Sequence, residues 1–424
     1  VVALLSLIPP LLVGIMPIHQ ITAAPVRQAL STIFYKEPGK IVNLIVKASL
    51  QARNKYSISN IFRNGFRTYL LLILLCLGLT LYFTGSILSQ SFNEDLTDYF
   101  GSTPYQVTVN LTQEEEGNFD FIQDMKEVKS AVPVLKKNLS YEFRSKNHQA
   151  FITIYPKNYE VKESLFLTGA ENKSCHDCIF INPQMLKEEF KDANLGEEIV
   201  LTLNDSLNYK AKYGGVLREV FPGRKEMIYW FTDTPLSHFN QISIALNNGV
   251  QVEKVITKVE ENLKENDFTF RNINDVKNSK TILINHFKPT YLIVQALGIF
   301  TIVISLLGML IVINLTLKER ITEMGIIKAL GGTDKSISKL LVIEFLFIAI
   351  ISVCIALPFA QILSEILCRV YGEMIRGFGI TKYTNYYEWG SFILIMIVVQ
   401  SLMVLWFSTS RIRKTPMQLI NNIE

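Results

Sequence analysis

The sequence predicts a membrane α-helical bundle: four complete transmembrane helices plus a partial N-terminal one, with an α+β extracytoplasmic domain. Three observations carry this reading. The composition is 49% hydrophobic and only 19% charged, against about 25% charge in an ordinary soluble domain. Apolar runs cover Tyr69 to Leu88, Tyr291 to Leu317, Leu340 to Leu363 and Trp389 to Phe407, each close to the roughly 20 residues that cross a bilayer core of about 30 Å. Charge alternates in step with those runs. Core helices of a soluble protein would be shorter and would carry a polar face.

Charge sets the orientation. Residues 91–288 hold 29 acidic and 23 basic residues, a net −6, while the whole chain is +4, so the remainder is +10. Thr22 to Thr68 holds eight Lys/Arg against Glu37 alone, residues 318–339 hold five, and the tail after Ser410 holds three. Basic loops stay in the cytoplasm, so these three segments read as inside and residues 91–288 as outside. The loop 369–388 falls outside by parity despite Arg369, Arg376 and Lys382.

The chain then divides as follows. Residues 1–18 are apolar but open without a basic stretch, so they do not read as a signal peptide. Pro9, Pro10 and Pro17 are tolerable inside a bundle, and the segment reads as the tail of a preceding transmembrane helix. Residues 19–68 are a cytoplasmic linker with an interfacial helix, where Ile41, Leu44, Ile45 and Ala48 share a face and the basic side meets lipid headgroups; a solvated linker is the alternative. Spans follow at 69–90, 289–317, 340–368 and 389–409. Between them lie the outer domain 91–288, the cytoplasmic loop 318–339 and the outer loop 369–388, and the cytoplasmic tail is 410–424.

In the outer domain, "YQVTVNL", "EEIVLTLN", "QAFITIYP" and "MIYWFTD" read as strands. "NPQMLKEEFKDANLG" reads as a helix ended by Gly196. "VQVEKVITKVEENLKEN" reads as an amphipathic helix with Val252, Val255, Ile256, Val259 and Leu263 on one face. Cys76, Cys354 and Cys368 belong to apolar spans, whereas Cys175 and Cys178 form "CHDC" outside, where disulfides are permitted. A disulfide loop, a redox pair, metal binding with His176, and free thiols are all open readings of that motif.

The loop "KERITEMGIIKALGGTDKSISK" carries the functional signal. Ile321, Met324, Ile327 and Leu330 fall at three-residue spacing, with Glu319, Arg320, Glu323 and Lys328 on other faces. This predicts a short helix, ended by left-handed geometry at Gly331 and Gly332, and then a helix capped by Thr333 or Asp334. A polar hairpin that merely joins two spans is the plainer alternative. Glu344 lies just inside the next span. An ionisable group there is a functional candidate, or else it pairs with a cytoplasmic-side base. Glu365 and Arg369, at i and i+4, read as an ordinary pair. "ALGGTDKS" fails as a phosphate loop because Ala329 and Asp334 occupy the two glycine positions and no strand precedes it. No catalytic set emerges, and the basic residues flank spans, which argues against nucleic acid.

Glu319-Arg320, Glu323, Gly325 and Lys328 to Gly332 resemble the signature "ER..E.G..KA.G" of FtsX-like ABC permeases of the macrolide-exporter and lipoprotein-releasing types. The resemblance extends to Glu344, "RNGFRT", the "TPMQLI" tail and, loosely, "NPQMLKEEFKDANLGEEIVLTL" and "YKAKYGGVLREVF". It implies a multi-pass protein of the bacterial cytoplasmic membrane. Its loop 318–339 would be a coupling helix gripped by a cytoplasmic ABC ATPase subunit. ATP and magnesium would bind that partner and no cofactor this chain, with membrane lipid and a second permease half or protomer as further partners. The substrate would be hydrophobic, lipid-linked or a peptide; a sensor or regulator role is the alternative, and a membrane thiol oxidoreductase using Cys175 and Cys178 a more distant one. "QITAAPVRQAL" and "RIRKTPMQLIN" align at constant offset, Ile21 with Ile412 and Pro25 with Pro416. A duplicated permease, of which this is the C-terminal half, is the expectation.

Overall fold

The computed structural model describes residues 65–156, 158–169, 178–204, 207–218, 227–232, 236–376 and 378–412. The readings of residues 1–18 and of the interfacial helix, the terminal repeat, and all of the tail but its first residues lie outside these. In chain order the elements are α1 Gly65–Ser102, β1 Val107–Glu116, α2 Asp120–Gln123, β2 Val128–Phe143, β3 Lys146–Pro156, β4 Phe166–Thr168, β5 Cys178–Ile181, α3 Pro183–Glu188, β6 Glu198–Asn204, β7 Leu207–Leu217, β8 Met227–Thr232, β9 His238–Leu246, α4 Val252–Glu265, β10 Phe270–Asp275, α5 Val276–Glu319, α6 Ile321–Ala329, α7 Asp334–Arg376 and α8 Tyr386–Ile412.

Among the described residues, four helices are long and apolar enough to cross a membrane: α1, α5, α7 and α8. They contain 38, 44, 43 and 27 residues. At 1.5 Å per residue the first three reach roughly 57 to 66 Å, about twice the hydrocarbon core. Residues 91–102 and 276–288, assigned from sequence to the outer domain, therefore continue α1 and α5. Glu94, Asp95 and Asp98 end the apolar run without ending the helix, because charge stops hydropathy and not helical propensity.

The chain forms two compact units. One comprises, among the described residues, 65–76, 303–354 and 393–412. Its core joins Leu71, Met309, Ile313, Leu317, Met324, Ile337, Leu341, Phe345, Ile348 and Val404. Met309, Ile313 and Leu317 recur every four residues, as one face of a helix requires. Gln400 Nε2 donates to the Phe345 carbonyl at 2.9 Å.

The other unit holds residues 77–302 and 355–392. Here α1 and α5 cross with backbones in contact. A Cβ on Gly298 would lie 2.4 Å from the Tyr82 nitrogen, and one on Gly78 would lie 2.9 Å from the Ile302 nitrogen. Small residues allow this approach, which gains dispersion contact that lipid cannot supply. Near the outer end, Arg369 pairs with Glu373 at 3.4 Å and Lys382 with Glu365 at 3.5 Å. The expected Glu365–Arg369 pair is thus replaced, because the chain after α7 returns Lys382 to Glu365.

The α+β domain is built on a ten-stranded sheet with the order β10-β1-β9-β2-β3-β8-β5-β7-β4, β6 bridging β2 and β7. Most pairs are antiparallel; β3–β8 and β5–β7 are parallel. β2 serves two parts of the sheet, pairing with β9 through residues 128–134 and with β3 through 135–143. One core gathers Val107, Val109, Ile122, Ile242 and Ile244 under Val255, Val259 and Leu263 of α4. The other gathers Tyr141, Ile152, Phe190, Leu201 and Trp230. The four predicted strands are β1, β6, β3 and β8, and the amphipathic helix is α4. The helix expected to run to Gly196 stops at Glu188 instead. Asn182 caps it by accepting from Met185 N at 3.1 Å. Burial of Phe190 then turns the chain, and Gly196, at φ +90°, belongs to the turn into β6.

The β2–β3 hairpin turns through Arg144 and Ser145, both at positive φ, a conformation non-glycine residues seldom adopt. Arg144 is held by Glu197 at 3.0 Å. The hydrogen bond from Arg144, then the one from the Asn194 backbone, keeps the Glu197 carboxyl below its ordinary range. A depressed carboxylate stabilises above its unfolded pKa, and this contribution fades as pH falls through the folded value. Arg144→Ala is expected to move the Glu197 titration upward, as read by carboxyl NMR shifts. An unmoved titration would show that Arg144 is not the cause.

Candidate functional site

The site is the elbow between α5 and α7. α5 ends at Glu319, Arg320 breaks the helical line, and α6 runs to Ala329. Gly331 N–H donates to the Lys328 carbonyl at 2.9 Å and Gly332 N–H to the Ile327 carbonyl at 2.8 Å, so the last carbonyls are satisfied in the manner of a glycine C-terminal cap. Gly331 has φ +92°. Gly332 serves differently: a Cβ there would lie 2.7 Å from the Ile327 carbonyl oxygen. Thr333 Oγ1 accepts from Ser336 N at 3.3 Å and caps α7. Asp334 instead pairs with Lys328 at 2.6 Å.

The centre of the elbow is an ion pair. Arg320 Nη1 lies 2.9 Å from Glu344 Oε1, and the two side chains are 3% and 6% exposed. Two charges this deeply buried must pair, since either alone would carry a desolvation cost of several kcal/mol. The base that Glu344 meets is therefore Arg320, 24 residues earlier. At the surface, Arg67 Nη1 reaches Glu319 Oε1 at 2.7 Å. A cleft of about 40 Å³ between α6 and the start of α7 is lined by Arg320, Glu323, Met324, Ile337 and Leu340, among others. That is room enough for ordered water.

The predicted apolar stripe is divided by the structure. Met324 is buried in the protein's own core with Ile337 and Leu341, and Ile327 packs against it. Ile321 is half-buried and Gly325 buried. Leu330 is 84% exposed and so, at 52%, is Ile326. The expectation that Met324 and Ile327 face a partner is corrected accordingly. The reason is angular: at 100° per residue, nine residues rotate half a circle, so Ile321 and Leu330 lie on opposite sides. Ile326 and Leu330, at i and i+4, share the outward face, and that spacing was readable in the sequence. Arg320 likewise is an internal group.

Cys178 opens β5, is buried and is disulfide-bonded; Cys175 and His176 lie outside the described residues. Cys76, Cys354 and Cys368 are not in disulfides. Among the described residues no group of three His, Cys, Asp or Glu is placed to hold a metal ion.

These features define a multi-pass membrane protein with a folded domain inserted between its first and second described spans. Residues 296–417 match the family model of the FtsX-like permease C-terminal domain. Over these residues, which span the later part of α5, the elbow, α7 and α8, the chain is similar to that permease family. No curated protein sequence matches the chain. Solved structures are similar to part of it, two of them as follows. One is the periplasmic region of MacB from Actinobacillus actinomycetemcomitans, 14% identical, covering 43% of this chain and 94% of that one at a TM-score of 0.32. The other is the extracellular domain of the ABC-type transporter YknZ from Gram-positive bacteria, 14% identical, covering 39% and 99% at a TM-score of 0.29.

Proposed function

We propose that this chain transmits the motion of a cytoplasmic ABC ATPase to its outer domain, and so expels or extracts a hydrophobic, lipid-linked or peptide substrate. ATP and magnesium bind the partner; this chain supplies the handle. The observation that carries the reading is the elbow. A short helix locked to α7 by a buried ion pair and a glycine turn presents Ile326 and Leu330 to solvent on the side predicted to be cytoplasmic. A hinge made only to connect two spans needs neither the lock nor the exposed apolar face. Whatever grips α6 moves α7 with it.

The docking face tests this. Apolar anchors at an interface centre cost about 2 kcal/mol or more when removed, a loss of roughly thirtyfold in affinity. Leu330→Asp and Ile326→Asp are expected to leave membrane insertion normal and abolish co-purification of the ATPase. Met324→Asp would be a poor probe, since it disrupts the core. Full association and full ATPase stimulation in the double variant would sink the coupling role. Normal coupling without substrate-stimulated hydrolysis would favour the sensor or regulator alternative.

A further inference from the structure

The segment "YKAKYGGVLREVF" ends a strand far from the elbow in sequence. Leu217 closes β7 and Arg218 follows it. Two features fix where Arg218 stands. Gly215, at φ +145°, brings β7 against β4 so closely that a Cβ would lie 2.2 Å from the Thr168 carbonyl oxygen. Arg218 N–H then donates to the Leu165 carbonyl at 2.6 Å. The guanidinium meets the outer end of α1, where Nη2 pairs with Asp95 and Nη1 reaches Asp98 at 3.5 Å. It also stands over the Phe378 ring, 5.5 Å from its centre. The Arg218 and Asp95 side chains are 10% and 1% exposed. Asp95 and Asp98, three residues apart, share one helix face. Beside them Lys162 Nζ donates to the Gly101 carbonyl at 2.7 Å, and the Ser102 and Ser164 hydroxyls bond at 2.9 Å.

The bonds to Asp95, Asp98, Gly101 and Ser102 all land on the last turns of α1. Stability does not require them to be ionic, because a packed apolar pair in place of a buried ion pair is often as stable or more so. A guanidinium fork supplies direction instead. The chain joins α1 to β1 through residues 103–106 and β10 to α5 at Asp275–Val276; β1 pairs with β10, so both covalent joins lie at one edge of the sheet and leave the domain free to swing about that edge. An anchor from β7, toward the opposite edge, removes that freedom. We propose that Arg218, through Asp95 and Asp98, is the positioning residue that locks the outer domain rotationally to α1, so that a turn of the helix becomes a turn of the domain. The lock itself is independent of the proposed coupling role; only its use under ATP rests on that reading.

The test places nitroxide labels at Glu94 on α1 and Glu253 on α4, in the full chain with Cys76, Cys354 and Cys368 replaced, and measures their distance distribution by pulsed EPR. One narrow distribution is expected for the parent chain. Arg218→Gln is expected to broaden it at least twofold, and the exchange Asp95→Arg with Arg218→Asp to narrow it again. Arg218→Lys, which keeps charge but loses the fork, serves if Arg218→Gln does not insert, and is expected to broaden it as well. A parent-like width in Arg218→Gln, or in Arg218→Lys where that is the variant read, overturns the proposal. Broadening in the variants without any ATP-driven shift in the parent, ATPase bound, would uphold the lock while removing the coupling role.

Discussion

Glu344→Ala is expected to leave little folded protein in the membrane. It strips the partner from Arg320 at a site where both side chains are almost wholly buried, and breaking such a pair costs about 3 to 5 kcal/mol. That is a large part of the 5 to 15 kcal/mol that holds a typical domain. Arg320→Ala should do the same from the other side. The informative variant is the double replacement Arg320→Met with Glu344→Leu, which removes both charges and keeps the volume. Thermal unfolding in detergent should return near the parent value. ATPase stimulation then separates two roles. If it stays lost while the fold recovers, the pair sets the angle of the elbow; if it returns in full, the pair is only a means of burying two charges. A single Glu344→Ala variant as stable as the parent would refute the buried-pair argument altogether.

Gly298→Leu should be nearly as damaging, for a steric reason. The added Cβ would lie 2.4 Å from Tyr82 N, 2.8 Å from Tyr82 Cα and 2.9 Å from the Gly78 carbonyl oxygen. These are backbone atoms, which cannot rotate aside, so α1 and α5 must separate. Overpacking typically costs about 1 to 3 kcal/mol and more where backbone must shift. Gly308→Leu on the same helix is the control. The nearest atom to a Cβ there is Leu71 Cδ1 at 4.0 Å, an ordinary contact. The expected result is a lowered unfolding temperature for Gly298→Leu and little change for Gly308→Leu; equal effects would mean that helix propensity, and not the crossing, is being measured.

The spans were legible because membrane insertion depends on an unbroken apolar length, which is a local property. The strands β1, β3, β6 and β8 and the helix α4 were legible from periodicity. β9 was not: its burial runs unbroken from Gln241 to Leu246, so the alternation of a half-buried strand is missing. β2 was hidden by Pro133, which cannot donate to a strand ladder, and by Lys136-Lys137, which break the apolar alternation. At the candidate site the residues were found but their directions were not. Spacing placed Met324 and Ile327 on an apolar face, but only the fold of α6 back onto α7 decides that this face looks inward. The partner of Glu344 was unreadable for the same reason, since 24 residues and a glycine turn separate it from Arg320. Arg218 carried no local signal either, because Asp95 lies over a hundred residues away.

α5 contains 29 consecutive uncharged residues, 289–317, all helical. That is roughly 43 Å of helix in a hydrocarbon layer of about 30 Å. A stretch too long for its bilayer tilts or thickens the lipid around it. Lys288 and Lys318 bound the stretch at its two ends and hold them near the headgroups. Acyl-chain length thereby becomes an input to this protein: a longer lipid stands α5 more upright, and a shorter one lays it further over.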